Sequence, residues 1–387
     1  MKQYVALDCS LKQISVCVMT EQRRIVTQAV IAADAGSIAE FVRSHAPEAE
    51  VIGLESGPTS PWLFHALRAE GLPVVVIDAR HAKAVLSLRI NKTDRNDAVG
   101  LAELLVSGWY KPVTVKSLES HRIRTVLTNR ALLVGIRQDL ENQVRSVLKT
   151  FGFVLGKGRG TFVDRVSELL EGKRLLLRLV RPLLKAWEAI RGHLQTVDKE
   201  ALTIAAKDET CRRLMTVPGV GAITALAFKT TIDTPWRFSS SSKVGAYLGL
   251  TPRRYASGET DRAGRISKCG DGLVRTYLVE AAGVLMTRSK AQSDLKDWGV
   301  RLAKRASPAR LVSPSPASWR SFCCGSGLTT ACSGRRVPLS RPDRAFYQFR
   351  IPRSEVPAGT VTQARSCRSL GGRPRQTRMR LWTRLVP

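Results

Sequence analysis

Four carboxylates have the types and spacing for phosphodiester chemistry: Asp8, Glu55, Asp94 and Asp97. Asp8 ends the apolar run Tyr4 to Leu7, and Glu55 ends the run Val51 to Leu54. Asp94 and Asp97 stand three residues apart in KTDRNDA, a spacing that puts both on one face of a helix. Several negative charges gathered at one place repel one another unless a cation neutralises them, and an all-oxygen ligand set favours Mg2+ or Mn2+. Two such ions roughly 4 Å apart stabilise the attacking and leaving oxygens at a phosphorus. Taken singly, each carboxylate also has a structural use: Asp94 as a helix N-cap, Glu55 as a solvated strand end. Lys92, Arg95 and Asn96 flank the pair, either as phosphate contacts or as exposed residues, and none of them is read as catalytic.

A second constellation surrounds Ser257 in GLTPRRYASGETDRAGRISKCGDGLVRTYLVEAA, residues 249 to 282. Arg253, Arg254, Arg262, Arg265, Lys268 and Arg275 lie around it. A serine attacks phosphorus when its hydroxyl is deprotonated and the phosphate charge is neutralised. Arginines suit the second task through bidentate contacts. The competing reading is that Ser257-Gly258 is a turn whose arginines bind backbone only. Ser239 to Ser242 read instead as the N-cap of a helix holding Val244 to Leu248. Between two helical segments, the sequence VPGVG places Gly219 and Gly221 in a tight turn. Backbone N–H groups exposed at a helix start make a phosphate site, so the segment resembles a helix-hairpin-helix element; an ordinary helix–helix turn is the alternative.

The elements that must position these groups follow from periodicity. Apolar runs at Tyr4–Leu7, Ile14–Met19 and Arg24–Ile31 predict three adjacent antiparallel strands. A helix is expected over Ser37–His45, a strand over Val51–Leu54, a helix over Pro61–Glu70 and a strand over Val74–Ile77. Helices over His81–Ile90 and Asp94–Val106 complete the order of an RNase H-like α/β domain, residues 1–112. From 113 to 205 strand signals fade. Leu132, Leu133, Ile136, Leu140, Val144 and Val147 recur at helical spacing, and a second such run spans Phe162 to Leu194. This predicts a long helical hairpin or coiled coil, suited to a scaffold or dimerisation arm. Residues 206–303 read as a further compact, mainly helical domain.

Composition bounds the partners. The chain has 387 residues and a net charge of +30, an excess that calls for a polyanion such as nucleic acid. Hydrophobic residues make up 43%, enough for real cores. No run of about 18 uncharged apolar residues predicts a membrane span. MKQYVALDCSLK lacks a signal-peptide core, and the eight cysteines contain no CxxC pair, so free thiols in a reducing, bacterial-type cytoplasm are expected, with the protein nucleoid-associated. The segment after residue 305 differs in kind. From Ala306 to Pro387 there are 15 Arg and no Lys, with half of the cysteines. It reads as a disordered basic tail or as a GC-rich gene translated out of frame. One shifted reading of Ala317–Leu328 gives KLAVILLRIWT, an amphipathic helix. A frameshift near residues 304–310 would leave this copy inactive.

Asp8, Glu55 in LESG and Asp94/Asp97 in KTDRNDA together resemble the DEDD tetrad of the IS110-type insertion-sequence transposases. VPGVG, WRF, YLGLTP, SG, GRISK and LVRTYLVEAA resemble that family's C-terminal transposase domain, so the likeness covers about residues 1 to 303. The resemblance implies a RuvC-like N-terminal domain, divalent metal on the four carboxylates, and Ser257 as a nucleophile joined covalently to DNA. It also implies one composite site across subunits of a homo-oligomer (dimer or tetramer) acting on double-stranded element ends and target, and direction by a structured bridge RNA. Cys269 departs from the pattern, standing in SKCGDG where a basic residue is expected. The competing enzyme is a RuvC-like nuclease using water and the carboxylates alone. The non-enzymatic alternative is a nucleic-acid-binding protein.

Overall fold

A computed structural model describes residues 1–87, 93–156, 158–289 and 293–305. The chain divides into two compact units, residues 1–125 and residues 126 onward. The arginine-rich segment and its proposed frameshift lie outside the described residues, as does Lys92.

The first unit is a sheet covered on both faces. Its strands are β1 (Gln3–Cys9), β2 (Gln13–Thr20), β3 (Ile25–Ala32), β4 (Ala49–Glu55), β5 (Val74–Ile77) and β6 (Pro112–Val113). Its helices are α1 (Ala35–His45), α2 (Ser60–Ala69), α3 (Ala79–Leu86) and α4 (Asp94–Ser107). The sheet order is β3-β2-β1-β4-β5-β6. β1, β2 and β3 are antiparallel neighbours, whereas β4 runs parallel to β1 and β5 parallel to β4. This is the RNase H-like arrangement that the element order predicted. The two-residue β6, antiparallel to β5, was not expected.

Side-chain alternation sorts the strands between two cores. Val5, Leu7, Ile52 and Leu54 pack with Ile38, Phe41, Leu63 and Leu67 of α1 and α2. Ala6, with Tyr4 and Val51 at its margin, packs instead with Ala98, Leu101, Ala102 and Leu105 of α4. α4 lies close because Gly53 has no side chain: a Cβ there would stand 2.6 Å from Leu105 Cδ2.

The second unit is mainly helical. α5 (Leu118–Thr150) begins in the first unit and continues into the second, followed by α6 (Phe162–Leu169) and α7 (Arg174–Lys207). Val144 and Leu148 of α5, Phe162 and Val166 of α6, and Val180, Leu184 and Trp187 of α7 share one buried cluster. Arg130 Nε donates to Asp198 at 2.6 Å, and Trp187 Nε1 to Glu141 at 3.0 Å, tying α5 to α7. The periodic run Phe162–Leu194 is two helices, not one. A Thr161–Asp164 capping box starts α6, and Gly172 at φ +76° turns the chain before α7. The α5 stripe is also divided: Val144 is buried, whereas Leu132 is 64% exposed.

Beyond α7 come α8 (Glu209–Met215), α9 (Ala222–Ile232), α10 (Ser241–Tyr247), α11 (Gly272–Thr287) and α12 (Asp294–Arg305). A β-hairpin interrupts them, β7 (Pro252–Ser257) with β8 (Thr260–Ile266), which the sequence reading of a mainly helical domain did not foresee.

Candidate active site

Asp8 and Glu55 occupy corresponding positions at the carboxyl ends of adjacent parallel strands. Leu7 pairs with Leu54 in the β1–β4 register, so the two carboxylates follow on strands roughly 4.8 Å apart. Alternation puts both on the α4 face, in phase with Ala6 and Gly53. Both are half-buried. Cys9, on the opposite face, senses them: burial first, then the charges of Asp8 and Glu55, push its thiol up to about 12.

Asp94 and Asp97 lie in the first turn of α4, on the helix that covers this same face. Asp94 is not the N-cap. Thr93 is, its side chain accepting from Asn96 N at 3.2 Å, which leaves Asp94 as the first helical residue. Acidic residues there also oppose the positive end of the helix dipole. Arg95 is fixed elsewhere: its Nε donates to Gln28 Oε1 at 2.7 Å. Gln28 pairs with Cys17 and Cys17 with Ala6, so that anchor is two strands from β1, roughly 10 Å away.

The structure therefore brings Asp8 and Glu55 together and holds Asp94 and Asp97 on the same face, but does not close the four into one group. Among the described residues no three His, Cys, Asp or Glu side chains converge closely enough to hold a metal ion. By donor type, the half-buried, all-oxygen pair Asp8 and Glu55 fits a hard divalent cation.

Ser257 sits at the tip of the β7–β8 hairpin, directly opposite Thr260. Gly258, at φ +54°, takes the first central position of the two-residue turn, where positive φ is required. Residues 253–262 of the hairpin are exposed, as are Gly264 and Arg265, whereas Ile266 is buried. Its root is tight. A Cβ on Gly249 would lie 2.6 Å from Cys269 N, and one on Gly270 would lie 2.2 Å from Tyr247 O. Lys268 adopts φ +55° there, and its N–H donates to Gly249 O at 3.0 Å.

The arginines divide by partner. Arg275 Nη1 donates to Leu248 O at 3.0 Å, bracing the root. Arg254 makes a bidentate pair with Asp261, and Arg253 Nη2 donates to Ser267 O at 3.3 Å. Arg262, Arg265 and Lys268 are exposed on or beside the hairpin. Cys269 is exposed as well, its Sγ donating to Ser267 O. Asp271 caps α11, accepting from Leu273 N at 2.9 Å.

Gly219 and Gly221 have different settings. Gly219, at φ +90°, presses on α11, where a Cβ would meet Ala281 O at 2.4 Å, so this glycine is required for packing. Gly221 is the N-cap of α9 and faces open space. Of the two glycines in the VPGVG turn, Gly221 has open space where a side chain would stand and Gly219 does not. Ser240 is the N-cap of α10, within the serine run expected to supply it, although its side chain makes no cap hydrogen bond. Sequence reasoning missed Thr93, Gly53, Gly249 and Gly270. The last two carry a visible signal, a glycine at each end of the GLTP…SKCG segment.

Comparison with known proteins places these features in one family. Residues 5–153 match a transposase family model of the DEDD, IS110 kind, and residues 211–296 match the model described as "Transposase IS116/IS110/IS902 family". The transposase for insertion sequence element IS1111A of Coxiella burnetii is 30% identical over 259 residues, covering 64% of this chain and 69% of the relative. The transposase for IS1328 of Yersinia enterocolitica is 28% identical, covering 64% and 75%. The RuvC structure from Thermus thermophilus aligns with 29% of this chain and 99% of its own at 13% identity, with a TM-score of 0.24. Among the described residues no helix is long and apolar enough to cross a membrane. With both family models matched in chain order, the chain belongs to the IS110-type family of insertion-sequence transposases.

Proposed function

We propose that this transposase cuts and rejoins double-stranded DNA at element ends and target, with Ser257 as the nucleophile and Asp8, Glu55, Asp94 and Asp97 as its metal-binding carboxylates. The observation that carries the metal half is the pairing of Asp8 and Glu55 at adjacent strand ends beneath the helix bearing the other two. A bound Mg2+ or Mn2+ supplies charge neutralisation at the phosphate. The four carboxylates would hold it, and the partial burial of Asp8, Glu55 and Asp97 limits competing water.

The reading of Ser257 rests on its place at the tip of an exposed hairpin with a locked root. Its Oγ forms the bond to phosphorus as one DNA strand leaves, and attack by a second strand's hydroxyl restores the serine. Arg262, two residues from Thr260 along β8, contributes positive charge near that phosphate, while Arg265 and Lys268, toward the hairpin root, meet phosphates farther along the DNA. Residues 1–112 form the catalytic carboxylate domain in this scheme, 113–205 the helical dimerisation region and 206–303 the serine domain. Exposed Leu132 on α5 and Leu175 and Leu179 on α7 support assembly of a homo-oligomer, dimer or tetramer. The +30 charge supports DNA binding and a guiding bridge RNA transcribed from the element. The segment from 304 onward is read as frameshifted, which would leave this copy inactive until repaired.

The test is a denaturing gel of repaired protein incubated with labelled element-end DNA. A covalent adduct is expected with wild type and absent in Ser257→Ala. Cleavage without any adduct would establish a water-using nuclease instead. Binding with neither cleavage nor adduct, unchanged by Asp8→Asn, would leave a nucleic-acid-binding protein.

A further inference from the structure

The β7–β8 hairpin has two unlike faces. Directly opposed residues of an antiparallel pair share a face, and alternate residues along a strand return to it. Tyr255 opposes Arg262 and Ser257 opposes Thr260, so these four share one face. Ala256 opposes Asp261 and Arg254 lies two residues from Ala256, so these three share the other. On that second face Arg254 Nε and Nη2 donate to the two Asp261 carboxylate oxygens at 2.8 and 2.7 Å. The charge of Arg254 is thus neutralised within the hairpin.

The serine's face is different. Tyr255 is 71% exposed, a large ring left in water on a ribbon that has no core of its own to cover it. Tyrosine combines a flat apolar surface with a polar tip and usually buries much of that surface. Its neighbours here are a hydroxyl two residues along the strand, roughly 7 Å away, and the exposed guanidinium of Arg262 directly across. An aromatic platform beside cationic groups suits single-stranded nucleic acid, with bases stacking on the ring and phosphates meeting the cations.

We infer that Tyr255 is a positioning residue that stacks on a nucleobase next to the phosphate engaged by Ser257, with Arg262 against the same strand's backbone; this rests on the reading of Ser257 as the nucleophile. Arg254, by contrast, acts inside the hairpin and not on DNA. A base reaches the ring only when it has left its own stack, as beside a nick or break, so the face selects opened DNA over intact duplex.

Photo-crosslinking of the full-length protein tests this. The probes are element-end duplexes carrying 5-iodouracil beside the exchanged phosphate, nicked or intact at that phosphate. With nicked probe the crosslink is expected on the Tyr255 peptide in both wild type and Ser257→Ala, and much weaker with intact probe. Tyr255→Ala should lose the crosslink and bind nicked DNA roughly 5- to 150-fold more weakly, whereas Tyr255→Phe and Tyr255→Trp should bind like wild type. Melting temperatures should be unchanged throughout, which separates stacking from a structural role. A crosslink mapping elsewhere, equal crosslinking of intact duplex, or unaltered affinity in Tyr255→Ala would overturn the inference. Failure of the nucleophile reading is seen separately, as a covalent adduct persisting in Ser257→Ala.

Discussion

The strand-end carboxylates and the hairpin serine are held by opposite strategies. Asp8 and Glu55 are extensions of buried strands, fixed because Leu7 and Leu54 beside them are fully buried. Ser257 is fixed from a distance, at the end of an exposed ribbon whose root is locked by backbone contacts at Gly249 and Gly270. A site that must concentrate negative charge gains from rigid, partly desolvated walls, which restrain the ligands before any ion arrives. A serine proposed to attack a phosphate in a large polyanion gains from exposure. Substitutions in the first region therefore act through the sheet, and those in the second through reach.

The largest expected effect is on chemistry in the first region. Asp8→Asn or Glu55→Gln should lower strand cleavage by about a thousandfold or more, equivalent to about 4 kcal/mol of lost transition-state stabilisation. Single-turnover cleavage of element-end DNA by the repaired protein measures it, and near-normal rates would remove these carboxylates from the site. Next is metal linkage. Mg2+ or Mn2+ at about 100 times its dissociation constant should stabilise the wild type by about 2.7 kcal/mol. Calorimetry should show this shift lost in Asp8→Asn and kept in Ser257→Ala; equal shifts in both variants would break the contrast between the regions.

A smaller effect is expected at the hairpin root. Gly270→Ala places a Cβ against the Tyr247 carbonyl, so overpacking should cost about 1–3 kcal/mol. Chemical denaturation of the second unit reads this out, and an unchanged midpoint would show that the root is looser than its contacts imply. The smallest effect is a pH dependence away from either site. Burial raises the carboxyl of Asp208, but the ion pair with Lys229 and the Cys211 N–H outweigh burial and hold it below its ordinary value. A depressed carboxylate contributes stability above its unfolded pKa of about 3.9. That contribution should fade as pH falls from near 4 through the lower folded value. Asp208→Asn should flatten the acid limb of the melting curve there, and an identical limb would discount the pair.

Much of the first unit was legible because burial writes itself into sequence. Tyr4–Leu7 and Ile14–Met19 are mainly apolar runs bounded by polar residues, Val74–Ile77 is one bounded by Pro73 and Asp78, and all three became strands. The hairpin was not legible, for the same reason in reverse. PRRYAS and TDRAGRI carry polar residues at both parities and, among the described residues, a single buried side chain, Ile266, so no alternation marked them as strands. Its only local signal, glycine after Ser257, reads equally as any turn. The break between α6 and α7 was hidden because leucines continue across it, through Leu169, Leu170, Leu175 and Leu176. At the site, residue types named the four carboxylates, but Asp94 and Thr93 exchanged structural roles because either serves as a cap. Distance along the sheet was invisible too. Nothing in KTDRNDA announces that Arg95 reaches Gln28, two strands away from β1.

The glycine pair at the hairpin root also bears on inheritance. A mobile element persists by copying itself, and copies that have lost their activity accumulate changes without penalty. Most positions tolerate some drift, since a neighbouring side chain can move aside. Gly249 and Gly270 face backbone atoms, which cannot. Any replacement at either position in a sister copy would therefore mark a lineage whose ribbon has lost its footing, whatever the rest of its sequence preserves.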